Sequence, residues 1–272
     1  MLRIWYASVV VSTAAPKKVG PSLKRPGSTE YLRELGLPVT VGIANINPDD
    51  VLGRDPALVQ AAIERALAHG VPQSFIDETG GYTGAVAILD TGRPGPVTAF
   101  RSDLDCVLVQ ESLDPSHLPA QLGFASEREG LMHGCGHDAH TAVGLAVARW
   151  LVDHKDELCG KFKLIFQPAE EGVRGARAMV GSGLVDDVDY FLGGHVGGCA
   201  KLGEVGVMDG GFLASTKFDV TITGTPAHAG NAPHLGNSAL MAAAAACLML
   251  QGIPRHGDGP TRVSVGTYVA CR

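Results

Sequence analysis

One stretch of the sequence, residues 131–141, constrains this chain most, because it concentrates side chains that bind metal ions. Three His, one Cys and one Asp lie within residues 133–140. Thiolate, imidazole and carboxylate groups are the ligands of zinc and its transition-metal neighbours. A glycine on each side of Cys135 permits a turn tight enough for Cys135 and His137 to converge on one point. The stretch predicts a metal site; the alternative is a glycine-rich turn with incidental histidines.

Two adjacent carboxylates, Glu170 and Glu171, follow a predicted strand. Neighbouring residues of a strand point to opposite faces, so both can enter one site only at a bend. Pro168 and Gly172 supply that bend. One carboxylate can then bind metal while the other takes a proton from a metal-bound water, whose pKa the metal lowers toward ~7. The residues alone do not say which carboxylate has which role.

Predicted strands and helices alternate along the middle of the chain, which indicates an α/β fold with a mostly parallel sheet flanked by helices. The predicted strands are residues 84–89, 96–100, 161–166 and 190–192, and the predicted helices are residues 56–69, 139–153 and 175–181.

Open α/β sheets bind ligands at the carboxyl ends of their strands. Asp103 follows the second predicted strand and His195 follows the last one, so both become candidates for the site. The alternatives are a turn-capping Asp and an ordinary interior His.

The pattern of polar and apolar residues changes past residue 206. Residues 216–223 alternate polar and apolar as in a half-exposed antiparallel strand, and a helix over 238–250 and a strand over 262–266 follow. This pattern predicts a smaller α+β domain. The expected organisation is an irregular segment (1–37), a metal-binding catalytic domain (38–209) and a partial lid or dimerisation domain (210–272). Because the last domain stops after so few elements, the sequence suggests a C-terminally truncated chain.

Composition narrows the classes of partner. A net charge of -6 argues against nucleic acid as the main partner. Six cysteines without any C-x-x-C pair suggest reduced thiols in a cytoplasm. No apolar run approaches the ~20 residues that a membrane span needs, and the N-terminus matches a signal peptide poorly.

Taken together, the motifs resemble those of dinuclear metallo-amidohydrolases of the aminoacylase, glutamate-carboxypeptidase and auxin-conjugate-hydrolase kind. Within that family the chain is most similar to the p-aminobenzoyl-glutamate hydrolases, in their A-type chain. The resemblance covers roughly residues 78–270. The markers of the whole family are Arg101-Ser-Asp-Leu-Asp105, Met132-His-Gly-Cys-Gly-His-Asp-Ala-His140, Gln167-Pro-Ala-Glu-Glu171, His195 and the turn around His228. The likeness to the p-aminobenzoyl-glutamate hydrolases is based on residues 90–96, 170–180, 186–191 and 216–219.

The resemblance implies a zinc-exopeptidase-like fold and specific roles for the site residues. Cys135 would bridge two divalent metal ions, zinc or manganese. Glu170 would be the general base and Asp103 would orient the site from behind the ligands. His228 would help to hold the oxyanion in a partner's site. The remaining metal ligands would be His137, Glu171 and His195.

The implied substrate is an N-acyl amino acid, with p-aminobenzoyl-glutamate as the first choice, and the implied assembly is a homodimer or hetero-oligomer formed through the small domain. The family also has a last His ligand near its C-terminus, which this sequence does not show. Two alternatives remain open: a truncated, non-catalytic homologue that binds metal or ligand or serves as the partner of another chain, and a closed structural zinc site. Paired glutamates among glycines suit an open site better than a closed cage.

Overall fold

The computed structural model describes residues 3–9, 27–197, 200–201, 203–208, 214–259 and 261–269. The chain divides into two compact units, Met1–Asp209 and Gly210–Arg272.

Seven strands from the described residues of the first unit form one sheet, in the order β2-β3-β5-β4-β6-β1-β7. Their bounds are β1 Arg3–Val9, β2 Val39–Val41, β3 Ala85–Asp90, β4 Val97–Asp103, β5 Lys161–Gln167, β6 Tyr190–His195 and β7 Val205–Met208. The central strands β5, β4, β6 and β1 run parallel. The other three pairings are antiparallel. The predicted α/β class is therefore confirmed, with parallel pairing confined to the middle of a mixed sheet.

The helices of this unit are α1 Ser28–Glu34, α2 Pro56–Ala68, α3 Gln73–Thr79, α4 Leu118–Leu122, α5 His137–Asp153 and α6 Gly175–Val180. Helix α2 begins where the sequence predicts it. The side chain of Asp55 accepts a hydrogen bond from the Ala57 N–H at 2.8 Å, and Pro56 occupies the first helical position.

Apolar side chains cover both faces of the sheet around β3, β5 and β4, because neighbouring residues of β3 and β5 point to opposite sides. On one face, Ala87 and Phe166 pack in a cluster with residues of α1 and α5. On the other face, Val86 and Ile165 pack with residues of α6. Two buried layers of this kind explain why the central strands read as continuous apolar runs.

The expectation of an irregular segment over residues 1–37 is wrong for the part that the structure describes. Arg3–Val9 forms β1, which pairs with β6 on one side and β7 on the other. Residues 28–34 form α1, whose Leu32 is fully buried in the core. Both elements depend on distant partners, which no local pattern shows. The lysines and prolines that suggested irregularity all lie within residues 10–26, outside the described residues.

In the second unit, the described residues form one α-helix, α7 Ala239–Gln251, which begins after Ser238, whose hydroxyl accepts from the Met241 N–H at 3.2 Å. The predicted helix is thus present. The predicted strands over 216–223 and 262–266 do not form among the described residues of this unit. Alternation of polar and apolar residues is not sufficient for a strand, because a strand also needs a neighbour that satisfies its backbone groups.

Candidate metal centre

The edge of the sheet where β4, β5 and β6 end carries most of the chemically active side chains. These three strands are parallel neighbours, so their carboxyl ends lie together. Asp103 is the last residue of β4 and His195 is the last residue of β6. The loop with Glu170 and Glu171 follows the end of β5. The topology therefore gathers residues that are up to 92 positions apart in the sequence.

Helix α5 begins at this same edge, and two glycines let it do so. Gly136 precedes the helix with φ +82°, a left-handed conformation that favours glycine, and a Cβ there would lie 2.5 Å from Val196. Gly144, farther along, allows α5 to approach the sheet, since a Cβ there would lie 2.6 Å from Ser102 Oγ. As a result His137, the first residue of α5, is fully buried.

The loop after β5 makes the bend that places two adjacent carboxylates in one site. Ala169 and Val173 adopt positive φ angles of 51° and 57°, which non-glycine residues rarely do. Gly175 closes the loop so tightly that a Cβ would lie 1.7 Å from the Pro168 carbonyl oxygen. The side chains of Glu170 and Glu171 remain 38% and 33% exposed, so the site is open to solvent on this side.

His137 directs one ring nitrogen at the two glutamates. Its Nδ1 donates to Asp105 Oδ1 at 3.0 Å, which leaves the lone pair on Nε2. That Nε2 lies 3.8 Å from Glu170 Oε2 and 3.8 Å from Glu171 Oε1. Among the described residues, neither His137 Nε2 nor Glu171 Oε1 has a hydrogen-bond partner, although both atoms are buried. Two buried acceptors facing each other are unfavourable unless a cation lies between them.

Cys135 and His195 form a second pair of facing ligand atoms. The Cys135 Sγ lies 3.3 Å from His195 Nε2, while His195 Nδ1 donates to the Val196 carbonyl oxygen at 2.7 Å. Burial, followed by a hydrogen bond with Glu171 and the nearby carboxylate charges, raises the pKa of the Cys135 thiol to about 11. A bound cation reverses that effect and favours the thiolate.

Each oxygen of Asp103 has a hydrogen-bond donor, and Oδ2 also lies 3.7 Å from His137 Nε2. One of its oxygens accepts from His140 Nδ1 and the other accepts from Arg101 Nη1 at 2.7 Å. The carboxylate is fully buried. Burial by itself would raise its pKa, but the hydrogen bond from His140 and the charge of Arg101 lower the pKa below its ordinary value. Asp103 is thus ionised and fully hydrogen-bonded.

The donor set fits a divalent metal ion. Three groups have ligand atoms within 4.8 Å of one another: Cys135 with His137 and His195, His137 with Glu170 and Glu171, and Asp103 with His137 and His140. Two atoms bound to one tetrahedral zinc stand about 3.4 Å apart. The 3.3 Å and 3.8 Å separations at Cys135–His195 and His137–Glu171 are close to that value.

Some residues of the site were not singled out from the sequence. Asp105 accepts from His137 Nδ1 and, through its other oxygen, from the Glu171 N–H at 2.9 Å, so it links a candidate ligand to the glutamate loop. Arg101 and His140 complete the surroundings of Asp103. A signal for His140 was available, since it follows His137 by three residues and shares a helix face with it.

His228, the remaining candidate, lies in the second unit. Its Nδ1 accepts from the N–H groups of Gly230 at 3.2 Å and Asn231 at 3.0 Å, so the ring stabilises its own turn. These two hydrogen bonds use Nδ1 and leave the other ring nitrogen, Nε2, outside the turn's own contacts. Its part in catalysis stays a prediction.

In the part of the chain that the structure describes, no helix has both the length and the apolar character to cross a membrane.

The family model described as Peptidase family M20/M25/M40 matches residues 99–268.

Comparison with known proteins finds several similar chains. A homolog of one subunit of p-aminobenzoyl-glutamate hydrolase, from Haemophilus influenzae, is 48% identical over 89% of this chain and 57% of its own length. Indole-3-acetyl-aspartic acid hydrolase of Enterobacter agglomerans is 47% identical over 89% of this chain and 56% of its own length. The crystal structure of an aminobenzoyl-glutamate utilization protein from Klebsiella pneumoniae is 43% identical, with a TM-score of 0.61, over 88% of this chain and 55% of that one. The chain thus spans about half the length of the relatives that it matches.

Proposed function

Because this chain belongs to Peptidase family M20/M25/M40, we propose that it acts as a metal-dependent amidohydrolase that cleaves an N-acyl amino acid, with p-aminobenzoyl-glutamate as the substrate. The names of two similar proteins support this choice, since p-aminobenzoyl-glutamate and indole-3-acetyl-aspartic acid are both amides of an acidic amino acid.

The observation that carries the proposal is the pair of buried acceptors without a hydrogen-bond partner among the described residues, His137 Nε2 and Glu171 Oε1, 3.8 Å apart. Together with Cys135 and His195 they would hold divalent metal, zinc or manganese. The thiolate favours zinc, whereas the carboxylates also suit manganese. Bound there, the metal would polarise the substrate carbonyl and make a water molecule more acidic.

Glu170 would move the proton. Its Oε2 lies within 3.8 Å of His137 Nε2, beside the ligands, and its side chain is 38% exposed. The carboxylate accepts a proton from water as the water oxygen bonds to the amide carbon. It then gives that proton to the amide nitrogen as the C–N bond breaks, and the ionised carboxylate is restored. The products are the free acid and the amino acid.

Asp103 and Asp105 would orient the ligands without contacting substrate. Asp105 fixes the ring of His137 and the backbone of Glu171 at once. A ligand held in this way loses less entropy when metal binds. We place the reaction in the cytoplasm, because Cys135 must stay a reduced thiol to bind metal.

The second unit would supply the contacts between chains. One similar protein is named as the homolog of a hydrolase subunit, which supports an assembly with another chain, either a second copy or a different polypeptide. His228 would act across that interface on the oxyanion, using the ring nitrogen that does not stabilise its own turn.

The test is metal content measured together with hydrolysis on the full chain. We expect about two divalent ions for each chain, as two adjacent ligand groups require, and release of p-aminobenzoate from p-aminobenzoyl-glutamate. Indole-3-acetyl-aspartate serves as the competing substrate, and faster hydrolysis of it would contradict the substrate assignment. Bound metal without hydrolysis of either amide would favour a non-catalytic, metal-binding homologue. A chain without metal would contradict the proposal altogether.

A further inference from the structure

His140 lies so close to the candidate ligands that residue type and distance alone would suggest that it is one of them. It forms a group with Asp103 and His137 whose ligand atoms lie within 4.8 Å of one another. Its ring centroid is 4.4 Å from that of His195. Whether His140 binds metal therefore depends on where its two ring nitrogens point.

Both ring nitrogens of His140 already have partners. Nδ1 donates to Asp103 Oδ1, and Nε2 accepts from the Val196 N–H at 2.9 Å. A neutral imidazole has one N–H and one lone pair, so this ring has neither left for a metal. Asp103 is equally occupied, because Arg101 takes its second oxygen. A metal in this group would have to break hydrogen bonds to a fully buried carboxylate.

The ring connects two elements that carry the site. Asp103 ends β4, and Val196 follows directly after β6. The carbonyl oxygen of Val196 accepts from His195 Nδ1 at 2.7 Å. A single path of hydrogen bonds thus runs from Asp103 through His140 to Val196 and on to the ring of His195. That ring presents Nε2 to the Cys135 sulfur at 3.3 Å.

We infer that His140 is a positioning residue that joins Asp103 to the Val196 backbone, sets the orientation of His195 toward Cys135, and does not bind metal itself. The inference rests on the proposed function only in requiring that the chain bind a divalent metal. Of the three groups of ligand atoms, the group with Cys135 and the group with the two glutamates bind metal. The group with Asp103 fixes the positions of the strands and the helix around the site.

Three substitutions on the full chain separate the two hydrogen bonds. His140→Asn keeps a donor near Nδ1 for Asp103 and loses the acceptor for Val196. His140→Gln keeps an acceptor near Nε2 and loses the donor. His140→Ala loses both. His154→Ala is the matched control, because His154 directly follows the same helix and, among the described residues, its side chain hydrogen-bonds only to the Trp150 carbonyl oxygen.

The readouts are the number of Co²⁺ ions for each chain, their affinity in competition with a chelating dye, and the visible spectrum of the cobalt-loaded protein. We expect every variant to bind as many ions as the unchanged chain. In His140→Ala the affinity should fall about 10–100-fold, as when other groups behind metal ligands are removed. The bands that report coordination geometry should shift, and the thiolate-to-cobalt band from Cys135 should persist. The Asn and Gln variants should each show a smaller change in affinity and spectrum than the Ala variant.

Loss of one ion for each chain in His140→Ala would make His140 a ligand and overturn the inference. Unchanged metal affinity and an unchanged spectrum in the Ala variant would overturn the inference too. If His140 contributes to folding alone, these two readouts would stay unchanged while the melting temperature falls. If the Ala variant does not fold, unchanged affinity in both the Asn and Gln variants decides against positioning. An unchanged chain that binds cobalt without hydrolysing amides overturns the proposed reaction alone. One that binds no cobalt overturns both.

Discussion

Two sides of the metal centre differ in how completely their polar atoms are hydrogen-bonded. On the side of the sheet, both oxygens of Asp103 and both ring nitrogens of His140 have partners. On the side of the loops, His137 Nε2 and Glu171 Oε1 have none among the described residues. Both sides contain the same kinds of group, imidazole and carboxylate. Residue type therefore does not separate them, but hydrogen bonding does.

Because of this difference, a substitution has a different main consequence on each side. Groups that are already hydrogen-bonded contribute to the stability of the metal-free protein, and removing a partner leaves a buried charge unsatisfied. Groups with open lone pairs contribute little until a cation arrives, and removing one reduces metal binding instead. Variants on the two sides should thus differ in their largest effect: loss of bound metal ions or of hydrolysis on the side of the loops, and loss of stability of the metal-free chain on the side of the sheet. Three predictions test this difference, and a fourth concerns a carboxylate outside the centre.

Cys135→Ala should have the largest effect. Its sulfur faces His195 Nε2 at 3.3 Å, and we expect the variant to retain no metal after dialysis and to show no hydrolysis above background. Metal content for each chain checks this result. Cys159→Ala, which removes an exposed cysteine, is the control and should behave as the unchanged chain. Full metal content in Cys135→Ala would remove the sulfur from the ligand set.

Glu170→Gln should keep the metal and lose the reaction. The amide cannot accept a proton from water, so we expect the rate of hydrolysis to fall by about 10²–10⁴-fold, with unchanged metal content. Glu64→Gln is a control on an exposed carboxylate whose one hydrogen-bond partner among the described residues is Gln60. If hydrolysis persists at the original rate, another group is the base.

Arg101→Met should act mainly on stability and leave the number of bound metal ions unchanged. It removes one of the donors to a fully buried carboxylate, and we expect the free energy of unfolding of the metal-free chain to fall by about 3 kcal/mol. Denaturation by urea measures the loss. Arg149→Met is the matched control, because Arg149 pairs with Asp153 on the exposed surface of α5 and should cost no more than about 0.5 kcal/mol. Equal losses would erase the distinction between the two sides.

The smallest effect concerns Glu111, a buried carboxylate outside the centre that is as fully hydrogen-bonded as Asp103. The hydrogen bond from His117, followed by the one from the Ser126 N–H, lowers the pKa of Glu111. A lowered pKa in the folded state means that this stabilisation is complete above the ordinary value of about 4.3 and is lost as the pH falls through the lowered value.

Glu111→Gln should therefore flatten the loss of stability below about pH 4, as measured by urea midpoints between neutral and acidic pH. The exposed carboxylate of Glu129, in the same connection between β4 and α5, gives the control substitution Glu129→Gln. A curve as steep in Glu111→Gln as in the unchanged chain would show that this pair contributes nothing to acid sensitivity.

Much of the fold followed from local patterns. The predicted helix over 56–69 corresponds to α2, and the predicted strands correspond to β3, β4, β5 and β6. Their bounds were predicted to within a few residues. The strands of the second unit were predicted wrongly, because alternation fits any exposed extended segment. Strand β1 was missed because its only support is pairing with β6 and β7.

The sequence by itself determined the chemistry that this chain can offer: a thiol, imidazoles and paired carboxylates, separated by glycines that permit tight turns. Side-chain type and the φ angles open to glycine are local properties, so sequence reasoning reaches them. Tertiary structure decided which of those groups keep an open lone pair. His137 and His140 are three residues apart on one helix, yet the Nε2 of His140 accepts from an N–H 56 residues away and that of His137 lies 3.7–3.8 Å from three carboxylates. The packing of distant strands therefore makes His137 a candidate ligand and places His140 in the hydrogen bonds behind the ligands.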